Sequence, residues 1–353
     1  MHISAYTLKQ AWHQVAVGSD VLNDAMFPPT GTSPDQYEQH AGEPHGRLFL
    51  VLEDDGTVRG HIGPYREVFV TQDLDQVLYF AAEDAVRKLA EDIAARAPGS
   101  GPLANLVSGQ AELLDRINPV WGSAFRNGGV GGGAQPPTAC GRDPLERLAW
   151  IADSWREQDP YTHLAFFRGE SICAEQIALL HGADPAQIAA GTRLADLRSM
   201  DGGARDYWDI VWETCCFGQA GDWAFLMYHE TPGSGPDLEA LARLGVTETV
   251  HLSATSAKAI YTFDYMRNGR RIDDDWGVLE LIWYDRGRAP YFRGGQLDFL
   301  NQAIRRAELD HPELTSEFEL YFHALDDALD LQLPRQDIQQ GTVRAAQWAR
   351  RNS

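Results

Sequence analysis

Lysine is nearly missing from this chain. Of 30 basic residues only Lys9, Lys88 and Lys258 are lysine, against 51 aspartates and glutamates, so the formal charge is −21. A chain of that sign repels phosphate backbones, which argues against a nucleic-acid partner. Cysteine is as scarce, with four in 353 residues. Cys140 falls in a glycine-rich stretch, Cys173 at an expected helix start, and Cys215 and Cys216 are adjacent. That leaves neither a disulfide framework nor the Cys-x-x-Cys ladder of a zinc site. No span approaches the roughly 20 apolar residues of a membrane helix. The start, Met1-His2-Ile3-Ser4-Ala5, lacks the basic-then-apolar form of a signal peptide. The expectation is a cytoplasmic protein with no membrane partner. His-Glu-x-x-His, Gly-x-Ser-x-Gly and Gly-x-x-x-x-Gly-Lys are all missing. Zinc-protease, nucleophile-elbow and phosphate-loop chemistry therefore have no local signature.

What is present is a glycine-rich stretch, Asn127-Gly128-Gly129-Val130-Gly131-Gly132-Gly133-Ala134-Gln135-Pro136-Pro137. It can hold neither a helix nor a strand, and it lies between two stretches that can. With 44% apolar residues and 353 in all, two folded domains are the natural expectation. The sequence assigns residues 1–127 to one domain, 128–142 to a flexible linker, 143–335 to a second domain and 336–353 to a C-terminal tail. Acidic residues number 17 against 9 basic before the linker and 34 against 21 after it, so −21 splits into −8 and −13. Both halves are acidic.

In the first module Arg47 to Leu52, Thr57 to Ile62 and Glu67 to Val70 alternate as strands, with Asp54-Asp55-Gly56 as a hairpin turn. The period then changes. Leu74, Val77, Leu78, Ala81, Ala85, Leu89 and Ile93 recur at helical spacing, Asp73 and Gln76 have the spacing of a capping box, and Pro98-Gly99 stops the helix. A second helix from Gln110 to Ile117 is expected to end at Asn118-Pro119. The run Val70-Thr71-Gln72-Asp73-Leu74-Asp75-Gln76-Val77-Leu78-Tyr79-Phe80, followed by Gln110, Leu113-Leu114, Ile117, Pro119 and Trp121, resembles the immunity protein 63 domain of bacterial polymorphic-toxin systems. Where that family carries a Glu-Arg-Gly triplet, this chain reads Gly63-Pro64-Tyr65-Arg66-Glu67. The resemblance implies an inhibitor that binds a toxin made by the same cell.

Past the linker the sequence predicts a helix around Leu145 to Trp155, a strand His163 to Phe167, and a helix Glu175 to Leu180 capped by Gly182. Aromatic strands follow at Trp208–Thr214, Trp223–Tyr228, Thr247–Leu252, Ala259–Tyr265 and Gly277–Tyr284. Two closing helices are expected, the second with Pro312 in its first turn. Several strands are apolar on both faces, so the sheet is expected to be covered on both sides. The blocks Leu164–Gly169, Gln176–Ala183, Gly221–Phe225 and Phe263–Gly269 are similar to an uncharacterised actinobacterial domain with no assigned activity. Both modules are read as α+β, each a mainly antiparallel sheet with packed helices.

No catalytic constellation stands out, and neither cofactor nor metal is expected. The sharpest charge is Asp273-Asp274-Asp275-Trp276, with Asp326, Asp327 and Asp330 as a second cluster. Three consecutive aspartates suit a solvated turn better than a metal cage, whereas an aromatic beside acids suits the recognition of a basic protein. Asp273, Asp274, Asp275 and Trp276 are thus the candidate partner-binding residues. Cys215-Cys216 reads as a buried structural pair, and Trp208, Trp212, Trp223 and Trp283 as core. The expected function is an immunity protein that neutralises a cognate toxin, a basic nuclease being the best match to the acidity. Two alternatives are a hydrolase-like site assembled from Asp222, His229 and Glu230, and a scaffold whose two modules hold two partners.

Overall fold

The computed structural model of the chain describes residues 2–40, 47–64, 66–96, 106–128, 147–151, 163–200, 213–229, 238–255, 260–272, 279–280, 286–288, 292–314 and 317–349. These form two compact units. The first joins Met1–Gln135 to Tyr284–Leu320, and the second joins Pro136–Trp283 to Tyr321–Ser353. The architecture is α+β, as expected, but the path differs. The chain passes between the units three times, not once, and 284–320 belongs to the first unit rather than to a domain spanning 143–335. Counted by unit, acidic residues number 24 against 14 basic and 27 against 16, so the charge divides as −10 and −11.

The first unit begins with α1 (Ala5–Val17), opened by a capping box in which Ser4 and Thr7 exchange side-chain and backbone hydrogen bonds. Leu8, Trp12 and Ala16, four residues apart, form its buried stripe. A four-stranded sheet runs in the order β1 (Thr30–Gly31), β2 (Leu48–Leu52), β3 (Val58–Ile62), β4 (Glu67–Thr71), with the one-turn α2 (Tyr37–His40) between β1 and β2 in sequence, β1–β2 parallel and the rest antiparallel. The Asp-Gly hairpin forms as expected, Gly56 taking φ +88°. Leu48, Leu50, Val58 and Phe69 face the core, where α3 (Leu74–Arg96) brings Val77, Phe80, Ala81 and Val86 against them. Gly60 is required there because a Cβ would stand 2.1 Å from the Phe69 ring. Asp73 caps α3 through the Asp75 N–H, while the Gln76 side chain accepts from the Thr71 hydroxyl, so the reciprocal half of the expected capping box is absent.

Two helices follow, α4 (Leu106–Ile117) and α5 (Pro119–Arg126). Asn118-Pro119 does more than end the first. Asn118 accepts from Val120 N–H and Pro119 occupies the first turn, so the pair opens a second helix. Helix α6 (Asp298–Asp310), supplied by the returning segment, packs on α4 and α5 with Leu300, Ala303, Ile304 and Ala307 buried.

The second unit is one antiparallel sheet in the order β10 (Arg270–Arg271), β9 (Ile260–Arg267), β8 (Val246–Thr255), β5 (His163–Gly169), β7 (Trp223–Tyr228), β6 (Thr214–Ala220), β12 (Arg344–Gln347), with β11 (Leu279–Glu280) also paired to β9. Both faces are covered. On one, Ala165, Phe167, Cys215, Phe217, Leu226 and Tyr228 pack with α7 (Ala174–Leu180), α8 (Pro185–Ala190) and α9 (Leu238–Arg243). On the other, Phe263 meets Tyr321 of α10 (Glu317–Leu329) edge-on, and the Trp223 indole N–H donates to Leu329 O at 2.9 Å. Two expectations are corrected here. The presumed tail 336–353 carries β12, which pairs with β6, because Ala345 and Ala346 supply the buried positions an edge of the core needs. Pro312 lies in the turn between α6 and α10, ahead of the helix it was expected to begin. Of the helix expected at 145–155, the described residues show the 3-10 turn Leu148–Trp150, and most of the linker lies outside the described residues.

Because α6 completes the first unit, cleavage within 129–142 is expected to leave two fragments that co-elute in size exclusion and separate only in denaturant. Fragments that part in native buffer would contradict the assignment of 284–320.

Candidate functional site

Asp273, Asp274, Asp275 and Trp276 lie outside the described residues, as do Trp208, Trp212, Trp283, Glu230 and Cys140. The strands that flank the acidic run are described. β10 and β11 both pair with β9, on the edge away from β8, through Arg271↔Met266 and Leu279↔Phe263. Arg271 is committed to Asp264 by two hydrogen bonds of 2.9 and 2.7 Å. The second acidic cluster is not an open patch. Asp326 is fully buried with Arg147 Nε 3.6 Å away, and Asp330 accepts from Gln332. Asp222 precedes β7 and His229 follows it, so the strand's rise holds them on the order of 20 Å apart. Asp222 and His229 therefore do not converge, and Glu230 lies outside the described residues. Cys215 and Cys216 are both buried, and burial pushes the Cys215 thiol far up, so it is an inert structural thiol.

Two clusters of ionisable groups emerge that local sequence did not single out. The first is in the first unit. Glu83, 5% exposed, sits in the middle of the apolar face of α3. Arg293 clamps it with bonds of 2.6 and 2.7 Å, and Arg305 approaches to 3.7 Å. Arg305 also bonds Glu308 at 2.8 Å and the Gly287 carbonyl at 3.1 Å, while its guanidinium lies 3.8 Å over Phe125. Glu308 accepts from Gly287 N–H at 2.7 Å, and Asp84 holds Arg288 at 3.3 Å. Burial pushes the Glu83 carboxyl up, but Arg293 and Arg305 overcome this and hold it below the ordinary range. For Asp84 burial wins over Arg288, and its carboxyl is raised. Beside this node, Leu48, Phe69, Phe80 and the Asp84–Arg288 pair wall a cleft of about 30 Å³, room for about one ordered water. With its charges matched internally, the node acts as a clasp that fastens the returning segment. Gln110 is fully buried next to Gly287, and among the described residues neither of its amide atoms has a hydrogen-bond partner.

The second cluster lies on the helix-covered face of the second unit's sheet. His163 of β5, Tyr228 of β7 and His251 of β8 stand on neighbouring strands with stacked rings. His163 Nδ1 is 3.2 Å from His251 Nε2, and the Tyr228 hydroxyl is 3.3 Å from that same nitrogen. His181, the C-cap of α7, joins them, with its Nδ1 2.9 Å from the Ile177 carbonyl. Burial pushes His163 down to about 4, with His251 and His229 adding to the effect, and pushes His181 down to about 4 as well. His251 is lowered by burial too. Neutral imidazoles side by side, with the Cys215 thiol held protonated nearby, do not make a nucleophile and base pair. Among the described residues no group of three or more His, Cys, Asp or Glu is spaced to hold a metal ion, and no described helix is long and apolar enough to cross a membrane. The chain matches no protein-family model, no curated protein and no solved structure.

Removing one partner of a buried pair leaves the other charge uncompensated. Arg293→Met is therefore expected to cost the first unit about 3–5 kcal/mol in urea unfolding. Gln110→Met is expected to leave stability unchanged or higher, since it deletes an unsatisfied amide at nearly equal volume. A neutral Arg293→Met would show that the clasp contributes nothing.

Proposed function

We propose that the chain is an immunity-type protein that binds a basic toxin domain and blocks it, a nuclease being the partner whose phosphate groove an acidic surface fits. The observation that carries this reading is the charge. The total of −21 is shared as −10 and −11 between the units, and part of the opposing charge is paired within each unit. Arg288, Arg293 and Arg305 are held by carboxylates of the buried clasp, while Arg59, Arg126, Arg168, Arg271 and Arg344 each engage a carboxylate of their own unit. An excess of one sign on both units draws in a basic partner and speeds its encounter. The similarity of Val70–Phe80 and Gln110–Trp121 to immunity protein 63 supports the same setting. Asp273 to Trp276 is the proposed contact, as the densest charge in the sequence and the neighbour of an edge strand. Such inhibition is stoichiometric binding and requires no cofactor.

Co-expression with toxin domains encoded beside the gene is expected to restore growth in one case. For that pair, replacing Asp273, Asp274 and Asp275 with asparagine should slow association and flatten its dependence on ionic strength. Trp276→Ala should speed dissociation by an amount worth about 2 kcal/mol or more. If no neighbouring toxin is neutralised, the inhibitory reading fails. If one is neutralised but the triple substitution changes nothing, the contact lies elsewhere.

A further inference from the structure

We infer that His163, His251 and Tyr228 form a proton-sensitive latch in the second unit, closed while the two imidazoles share one proton and opened when both become charged. The argument begins with the 3.2 Å gap between His163 Nδ1 and His251 Nε2. A gap of that length holds one N–H···N hydrogen bond, so one facing nitrogen carries the proton and the other accepts it. A first added proton can sit on an outer ring nitrogen and leave this bond intact. A second would set two N–H donors face to face, and the bond joining β5 to β8 on this face would be lost. The Tyr228 hydroxyl, 3.3 Å from His251 Nε2, is tied to the same nitrogen and must reorient with it.

The surroundings offer an imidazolium little help. From β6 the facing titratable group is the Cys215 thiol, from α7 it is His181, and His229 follows Tyr228 on β7. From β9 it is Asp264, directly opposite His251 in register but already bonded twice by Arg271. Ser253 and Thr262, opposite each other on β8 and β9, hydrogen-bond each other. Trp348, after β12, meets the Tyr228 ring edge-on at 5.9 Å. The folded-state values of His163 and His251 therefore lie below those of the unfolded chain. Above pH 6.5 the latch contributes fully. As pH falls through 6.5 toward 4, the unfolded chain takes up protons that the folded cluster refuses, and stability drains away across that window.

The test uses the full chain. Histidine ring resonances, assigned with His163→Phe, His251→Gln and His181→Gln variants, are followed by NMR from pH 7.5 to 4.5, with urea midpoints measured in parallel. The expected result is that His163 and His251 stay neutral below the ordinary imidazole range, that their two protonation steps are separated, and that the wild-type urea midpoint falls across this range. In His163→Phe the fall should shrink by about half. If that variant does not fold, the wild-type resonances decide alone. Two independent titrations near 6.5 in a chain that stays folded would overturn the latch.

Discussion

A carboxylate buried in the apolar face of a helix is tolerable only if cations reach it, and the cations that reach Glu83 come from more than 200 residues away. This constraint shapes the first unit. Left alone, the helix bearing Glu83 would carry an uncompensated charge in its core, at a cost of several kcal/mol. Arg293 and Arg305 remove that cost, and in doing so they fix the segment that carries α6. The β-bridge between Phe69 and Arg293, with Arg293 N–H donating to Val68 O at 2.9 Å, sets the segment's register against the sheet.

The same economy shapes the surface. A chain with 27 arginines and 3 lysines could display a mixed field, yet several arginines are spent on internal carboxylates. Planar guanidinium suits that use because it forms paired bonds and stacks on rings such as Phe80 and Phe125. The acidic excess left on each unit is the property on which the proposed recognition of a basic partner rests. The imidazole and phenol cluster follows a different logic, in which titratable rings are kept neutral by apolar neighbours.

Much of the fold was legible where it was local. The meander from Leu48 to Thr71 showed as alternation around an Asp-Gly turn, and α3 showed as a shift to helical period. Strands β5, β7, β8 and β9 were marked by paired apolar faces. The errors came where the deciding partner is distant. Nothing near α6 says that its buried stripe matches α4 and α5, and the glycine stretch suggested a single crossing because it is the only boundary with a composition of its own. Glu83-Asp84 inside the apolar run Tyr79 to Val86 was a signal that could have been read, since charged residues there demand partners. The imidazole cluster left no such trace, because His163 and His251 meet only through the pairing of β5 with β8. The acidic run Asp273 to Trp276 is plain in the sequence, and the contact proposed for it rests on chemistry, not on described geometry.

The most direct measurement is a double-mutant cycle on Glu83 and Arg293, using Glu83→Gln and Arg293→Met singly and together, read by urea unfolding and by amide exchange in α6. Coupling of about 2–3 kcal/mol is expected, with α6 losing protection in each single variant. Additivity within about 0.5 kcal/mol and unchanged protection in α6 would contradict the clasp, and with it the assignment of 284–320 to the first unit.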